Sequence, residues 1–348
     1  MRETIISPTG AERQELELEE GTGEILLDLD KKGKDRDWAG RKKRTMLLLS
    51  EIVDYARQID QTVMTDSQYD SILHCGEYLE FLEDAQGNRK LAKSFFCRSK
   101  FCCTCNWRKS LKLGYQISKV IDKVQENNKG CRWLFLTLTV HNCEGNKLGG
   151  IIKQMNNAFS LITSKTRTYH KADKLKKNLL GYQRNLEITV NKDDFTIHPH
   201  LHILLCVKST YFKSKDNYMT QEEFTNLWAD AMNLDYTPMV DIRKTYGGKK
   251  GIAEVAKYPM KMTDLLQIKD KSKEDAALIF IALANALRGK RLISWGGVMK
   301  KARAELKLES IESDNADLTN VGDKEEDGFT PIKQVRFKYD YTTGIYIC

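Results

Sequence analysis

Helical spacing sets in at Thr45, where Leu47, Leu48, Ile52, Tyr55 and Ala56 recur at the intervals of one helix face. Upstream, Met1 to about Arg44 is rich in charge and glycine, with Trp38 as its one large aromatic, and reads as a basic arm. A cysteine-bearing stretch runs from Cys75 to about Trp107, and a second helical face follows through Leu111, Tyr115, Ile117, Val120 and Ile121. Trp133-Leu-Phe-Leu-Thr-Leu-Thr-Val140 has strand length and β-branched, aromatic character, which predicts a central strand. Past an amphipathic helix near Leu148–Ile162, the strands Leu186–Val190 and Leu201–Val207 flank a polar turn, as an antiparallel pair does.

Farther along, Thr220-Gln-Glu-Glu223 is a capping box for a helix with Phe224, Leu227, Trp228 and Met232 on one face. Val240–Arg243 predicts a short strand, and Ile252 to about Met262 a helix that Pro259 ends or kinks. Asp275–Leu287 is an apolar helix, Lys307–Asp327 an acidic linker, and Phe329–Ile347 alternates as a terminal hairpin does. These elements predict an α+β fold, a central antiparallel sheet with helices packed on it.

Composition narrows the class. The 348 residues are 41% hydrophobic and 30% charged, with no apolar run near the ~20 residues of a membrane helix and no leader-like stretch after Arg2, so a cytoplasmic protein is expected. The net charge of +8 is modest, but basic residues crowd Lys31–Arg44, Lys90–Lys112 and Arg243–Lys261, which suits an anionic partner. The nine cysteines, an odd number in such a chain, point to metal binding or burial before a disulfide framework.

His198-Pro-His200-Leu-His202 leads into a strand, where alternation sends His200 and His202 to one face. Two imidazoles side by side are a ready pair of metal ligands, and strand phase selects them over His198. Glu187, a carboxylate among apolar residues of the neighbouring strand, is the candidate third ligand. Such a mixed set suits Mg²⁺ or Mn²⁺ in phosphoryl chemistry. In Glu254-Val-Ala-Lys-Tyr258-Pro-Met-Lys261, helical spacing puts Glu254 and Tyr258 one turn apart. With a pKa near ~10, Tyr258 needs help as a nucleophile, which Lys257 or Lys261 can supply. Taken singly, the histidine pair reads equally as polar residues on a solvated strand face, and Glu254 and Tyr258 read more readily as a surface carboxylate and a half-buried aromatic; the combination points to chemistry.

Cys97, Cys102 and Cys105 have the spacing of a tetrahedral zinc site, with Cys75, or else His74, as a fourth ligand, and Cys103 as a competitor for Cys102. The flanking Arg98, Lys100, Arg108 and Lys109 are candidate phosphate contacts. Trp107 is available either to stack on a base or to join a core.

Phe135-Leu-Thr-Leu-Thr139, His200-Leu-His202 and Glu254-x-x-x-Tyr258 occur in the order of the three motifs of HUH endonucleases. The chain resembles the rolling-circle replication initiators (Rep proteins) of plasmids from Gram-positive bacteria. The resemblance extends from about Trp38 through Gly297 and includes the segments Phe96–Arg108 and Arg291–Gly297. It implies that Tyr258 cuts one strand at the double-strand origin, leaving a 5′-phosphotyrosine and a free 3′-OH. Glu254 then activates water for hydrolytic release at termination. It further implies an origin DNA partner, a hairpin with a single-stranded loop, together with a host helicase and DNA polymerase. On this reading residues 1–44 are the arm, 45–110 the zinc-binding segment, 111–265 the HUH catalytic domain, 266–306 a helical extension, and 307–348 the acidic linker and hairpin. A conjugative relaxase or HUH transposase would use the same histidines and tyrosine. A non-enzymatic, zinc-containing DNA-binding regulator would explain the charge and cysteines but not the histidine pair beside Glu254 and Tyr258.

Overall fold

The computed structural model describes residues 16–30, 32–245, 252–256, 262–322 and 329–348, with Ala253 and Glu254 described by backbone alone. It is an α+β chain of two compact units, each discontinuous in sequence. The first comprises residues up to Leu49, Thr65–Lys112 and Asp317–Cys348; the second comprises Ser50–Met64 and Leu113–Ala316.

The sheet of the first unit runs β1 (Leu18–Glu19), β9 (Pro331–Asp340), β2 (Tyr78–Asp84), β3 (Arg89–Lys93), with β10 (Ile345–Ile347) also paired to β9. The expected terminal hairpin is β9–β10. The β2–β3 hairpin has no clear alternation because acids interrupt its apolar residues. Glu80, fully buried in β2, accepts hydrogen bonds from Arg336 Nε and Nη2 at 2.9 and 2.7 Å and from Gln334 Nε2 at 2.9 Å. A carboxylate that deep is tolerated only when so paired.

The first helix covers Trp38–Leu48 and so begins before Thr45. Asp37 caps it, accepting from the Gly40 N–H, and its inward face is Trp38, Lys42, Thr45 and Leu48. Two polar side chains on that face hide the helical period. Trp38 is 2% exposed, donates its indole N–H to Asp28 at 2.9 Å and meets Trp107 edge-on at 4.7 Å. Trp107 is thereby half-buried packing, and the described stretch around Trp38 is folded onto its unit.

The sheet of the second unit is antiparallel throughout, in the order β7 (Val240–Thr245), β4 (Arg132–Thr139), β6 (Ile197–Val207), β5 (Leu179–Val190), β8 (Ile293–Gly296). The strand predicted at Trp133–Val140 is interior, and β6 is central. Pairing puts Leu201 opposite Leu186 and Leu138, on the face that the helix Leu148–Thr163 covers; Phe159 of that helix meets Tyr182 of β5 edge-on at 4.9 Å. His200 lies opposite Glu187 and Thr139, and His202 opposite Asn185 and Thr137, on the other face. An apolar face packed on helices and a face that carries the polar groups follow from one alternation. Gly297, at φ 57°, approaches β5 so closely that a Cβ would meet the Leu180 carbonyl oxygen at 2.1 Å. The acidic stretch after Lys307 packs down: Ile311 and Ala316 are buried, and Glu312 accepts the N–H groups of Leu292 and Ile293 at 2.9 and 3.1 Å.

Among the described residues, no helix is long and apolar enough to cross a membrane.

Candidate metal centre and nucleic-acid site

On the polar face, Glu187 Oε2 lies 2.7 Å from His202 Nε2 and 3.1 Å from His200 Nε2. The three ligand atoms all fall within 4.8 Å of one another. Adjacent ligands of an octahedral Mg²⁺, each at ~2.1 Å from the ion, are about 3 Å apart, so the donor set fits a small divalent cation. Burial pushes the Glu187 carboxyl up, but hydrogen bonds from His200 and His202 and the electrostatic attraction of these rings outweigh it and hold the group well below the ordinary carboxylate range. The cluster is thus arranged around one ionised carboxylate.

The neighbours of the triad orient it. Thr137 Oγ1 is 3.2 Å from His202 Nδ1, and Phe135 stacks on the same imidazole with centroids 5.5 Å apart. A hydrogen bond at Nδ1 commits Nε2 to the ligand position. Thr139, opposite His200, donates its hydroxyl to the Met239 carbonyl at 2.8 Å. The Thr137 and Thr139 roles were not assigned from sequence, although the motif that contains them was evident. His198 stands outside the triad, one tilted ring from His200 at 5.2 Å.

Asn185, fully buried and two residues before Glu187 on β5, donates its amide to the Val255 carbonyl at 3.2 Å. That bond fixes the helix Ile252–Val255, whose backbone includes Glu254, to the strand bearing the carboxylate ligand. Lys257, Tyr258 and Lys261 lie outside the described residues, as does the Glu254 side chain.

The four thiols of Cys75, Cys97, Cys102 and Cys105 form one cluster. Sγ separations are 3.5 Å for Cys75–Cys105, 3.6 Å for Cys97–Cys105 and 3.6 Å for Cys75–Cys102. A tetrahedron with Zn–S bonds of ~2.3 Å has edges of about 3.8 Å, so the four sulfurs lie at a spacing compatible with zinc. Main-chain N–H groups of Cys97, Arg98 and Cys105 point at Cys75, Cys105 and Cys102 sulfur respectively, and Arg98 takes φ 55° to do so. Hydrogen bonds from the other three cysteines hold the Cys102 thiol well below the usual range, while burial pushes Cys97 and Cys105 up. His74 faces outward to Glu77 at 2.9 Å, and Cys103 sits apart with its thiol pushed up by burial to about 11. Both alternatives therefore give way to Cys75 and Cys102.

The basic residues divide. Arg108 and Lys109 are each 2% exposed: Arg108 donates to the Leu318 and Thr319 carbonyls, and Lys109 to the Arg98 carbonyl. They brace this unit instead of presenting charge to phosphate, a correction to the expectation from sequence. Arg98 and Lys100 are half-buried.

Residues 88–347 match the family model Rep_1, described as "Replication protein". The chain is 38% identical over 318 residues to "Protein rep" of Streptococcus pneumoniae serotype 2, covering 90% of this chain and 92% of that one. It is 36% identical over 330 residues to "Protein rep" of Lentilactobacillus hilgardii, covering 92% and 98%. A "Replication protein" of Staphylococcus aureus is 37% identical over 233 residues, 64% of this chain and 94% of that one. No solved structure matches the chain.

Proposed function

Because the chain belongs to this family of replication proteins, we propose that it initiates rolling-circle replication of a plasmid as a HUH endonuclease, nicking one strand of the double-strand origin in the cytoplasm. The observation that carries this reading is the convergence of Glu187, His200 and His202 on the sheet face where Asn185 holds the main chain one residue past Glu254. Residues 111–265 then supply the catalytic groups of the second unit, whose sheet β8 (Ile293–Gly296) completes. The remaining divisions are the arm (1–44), the zinc-binding segment (45–110), the helical extension (266–306) and the C-terminal part (307–348).

A Mg²⁺ or Mn²⁺ ion held by the triad would draw charge from an oxygen of the scissile phosphate. Thr137 keeps the His202 ring turned so that Nε2 faces Glu187, where the two would hold the ion together. Tyr258 attacks phosphorus: the tyrosyl O–P bond forms, the bond to the 3′-oxygen breaks, and the phenolic proton ends on the released 3′-OH. Lys257 or Lys261 lowers the cost of the phenolate. At termination Glu254 takes a proton from the water that attacks the phosphotyrosine, freeing Tyr258.

The four cysteines hold a structural Zn²⁺, and Arg98 and Lys100 beside them contact origin phosphates. A host helicase and polymerase act on the nicked origin, which is extruded as a hairpin with a single-stranded loop. A relaxase or transposase would use the same groups; relatives named "Protein rep" favour initiation.

The test is incubation with supercoiled origin plasmid and Mg²⁺ or Mn²⁺, followed by assay for nicked circles and a covalent protein–DNA adduct. Tyr258→Phe abolishes both; a variant that still nicks removes Tyr258 as nucleophile. Glu254→Ala nicks but fails to release, and normal release would remove its role.

A further inference from the structure

At the end of β6 remote from the histidines, the turn from Lys208 to Met219 carries Phe212 and Tyr218 on its surface, 39% and 41% exposed. Two aromatic rings left half in water on a lysine-rich turn need a reason, since the same chain could bury them. Their rings lie 5.8 Å apart and tilted by 36°, side by side. Behind them Tyr211, fully buried, touches both edge-on, at 4.9 and 5.8 Å.

This turn is built, not loose. The Tyr211 hydroxyl donates to the Met219 carbonyl at 3.4 Å and accepts the Met219 N–H at 3.2 Å, tying its two ends. Buried Asn178 adds two more ties: its carbonyl accepts the Lys208 N–H at 3.0 Å, and its side chain donates to the Asn217 carbonyl at 3.2 Å. Lys208, Lys213 and Lys215 are exposed on the same turn, against Asp216 as its single acid, and Lys244 of β7 sets its ammonium 5.2 Å over the Phe212 ring.

We infer that this turn is a docking surface for single-stranded DNA, with Phe212 and Tyr218 stacking on bases and Lys208, Lys213, Lys215 and Lys244 meeting phosphates. Paired aromatic faces among cations suit an unpaired strand, whose bases offer π-faces; in a duplex those faces are already stacked. The inference rests on the nickase reading for its source of such DNA: the strand leading away from the cut phosphate. From His200 to Val207 the β6 path is about seven residues long, roughly 23 Å at the rise of a strand. Ile203–Val207 are fully buried, so a single strand leaving the triad reaches the turn over the surface outside β6, a span of that order or longer.

The experiment is fluorescence anisotropy of the full chain with a labelled oligothymidylate and with a duplex of equal length, over a range of salt. Phe212→Ala/Tyr218→Ala weakens single-strand binding roughly tenfold or more and leaves duplex binding nearly unchanged. Lys213→Gln/Lys215→Gln lowers the slope of log affinity against log salt by about 1.4 on the single strand. Because all four side chains are exposed, circular dichroism should match the parent chain. Single-strand affinity unchanged in the aromatic variant overturns the inference, as does an equal loss on duplex. If the parent chain binds oligothymidylate through these residues yet never nicks origin DNA, the nickase reading fails and the surface stands. If it nicks while the variants bind normally, the surface fails alone.

Discussion

The buried amide of Asn185 holds the carbonyl of Val255 at 3.2 Å, and through that bond a strand carrying a metal-ligand candidate is tied to a helix carrying Glu254. Asn185→Leu keeps the volume but leaves a carbonyl unpaired, at a cost of about 1–3 kcal/mol. Since misplacement by an ångström can cost on the order of a hundredfold in rate, nicking falls at least tenfold. Mn²⁺ affinity, measured by calorimetry, stays near the parent value because the triad is untouched. Equal losses in metal affinity and nicking would show that Asn185 serves the sheet and not the helix.

Glu83 makes stability of the first unit depend on acid. Burial raises its carboxyl pKa, but Arg89 at 2.7 Å and Lys333 at 3.2 Å outweigh burial and lower it on balance. A carboxylate with a depressed folded pKa contributes stability above its unfolded value of ~4.3, and loses it as pH falls through the folded one. Urea denaturation therefore separates the parent from Glu83→Gln by on the order of 1 kcal/mol at neutral pH. The gap closes below the ordinary carboxylate range, and one that persisted there would mean the ion pairs contribute nothing.

The reach of sequence reading differs between the two halves of the chemistry. Alternation alone puts His200 and His202 on one face, and antiparallel pairing brings Glu187 opposite His200, so the triad is a local consequence of β5 and β6. The cysteine cluster is legible by spacing for the same reason, three of its members lying within one short stretch. What stayed hidden were contacts that join distant parts of the chain. Glu80 looks like a strand breaker until Arg336 and Gln334 arrive beside it. Lys42 and Arg108 look like surface charge, yet both are buried because carbonyls of remote segments converge on them. A long cationic side chain reads the same from sequence whether its end meets water or a carbonyl.

Arg108 and Lys100 separate these two uses of charge. Arg108→Ala removes the donors to Leu318 and Thr319 and lowers the melting temperature, with the salt dependence of origin binding unchanged once folded protein is compared at equal concentration. Lys100→Gln reduces the salt slope by about one. Should Arg108→Ala change the slope while melting normally, the assignment of Arg108 to internal bracing is wrong.

Lys42 links the first helix to the cysteine cluster. Its ammonium, 1% exposed with the whole residue, donates to the carbonyls of Leu73 and Cys75, the latter at 2.9 Å. Lys42→Met preserves length and strips both donors, freeing the loop that sets Cys75 among the other three thiols. It also removes a positive charge from beside a site that, with Zn²⁺ held by four thiolates, would be net negative. Zinc release to a colorimetric chelator then quickens by roughly tenfold, in the range seen for loss of groups that orient metal ligands. Lys42→Arg restores part of the retention because it keeps charge and donors. Release at the parent rate from the methionine variant would mean that Cys75 is positioned by the N–H···S bonds alone.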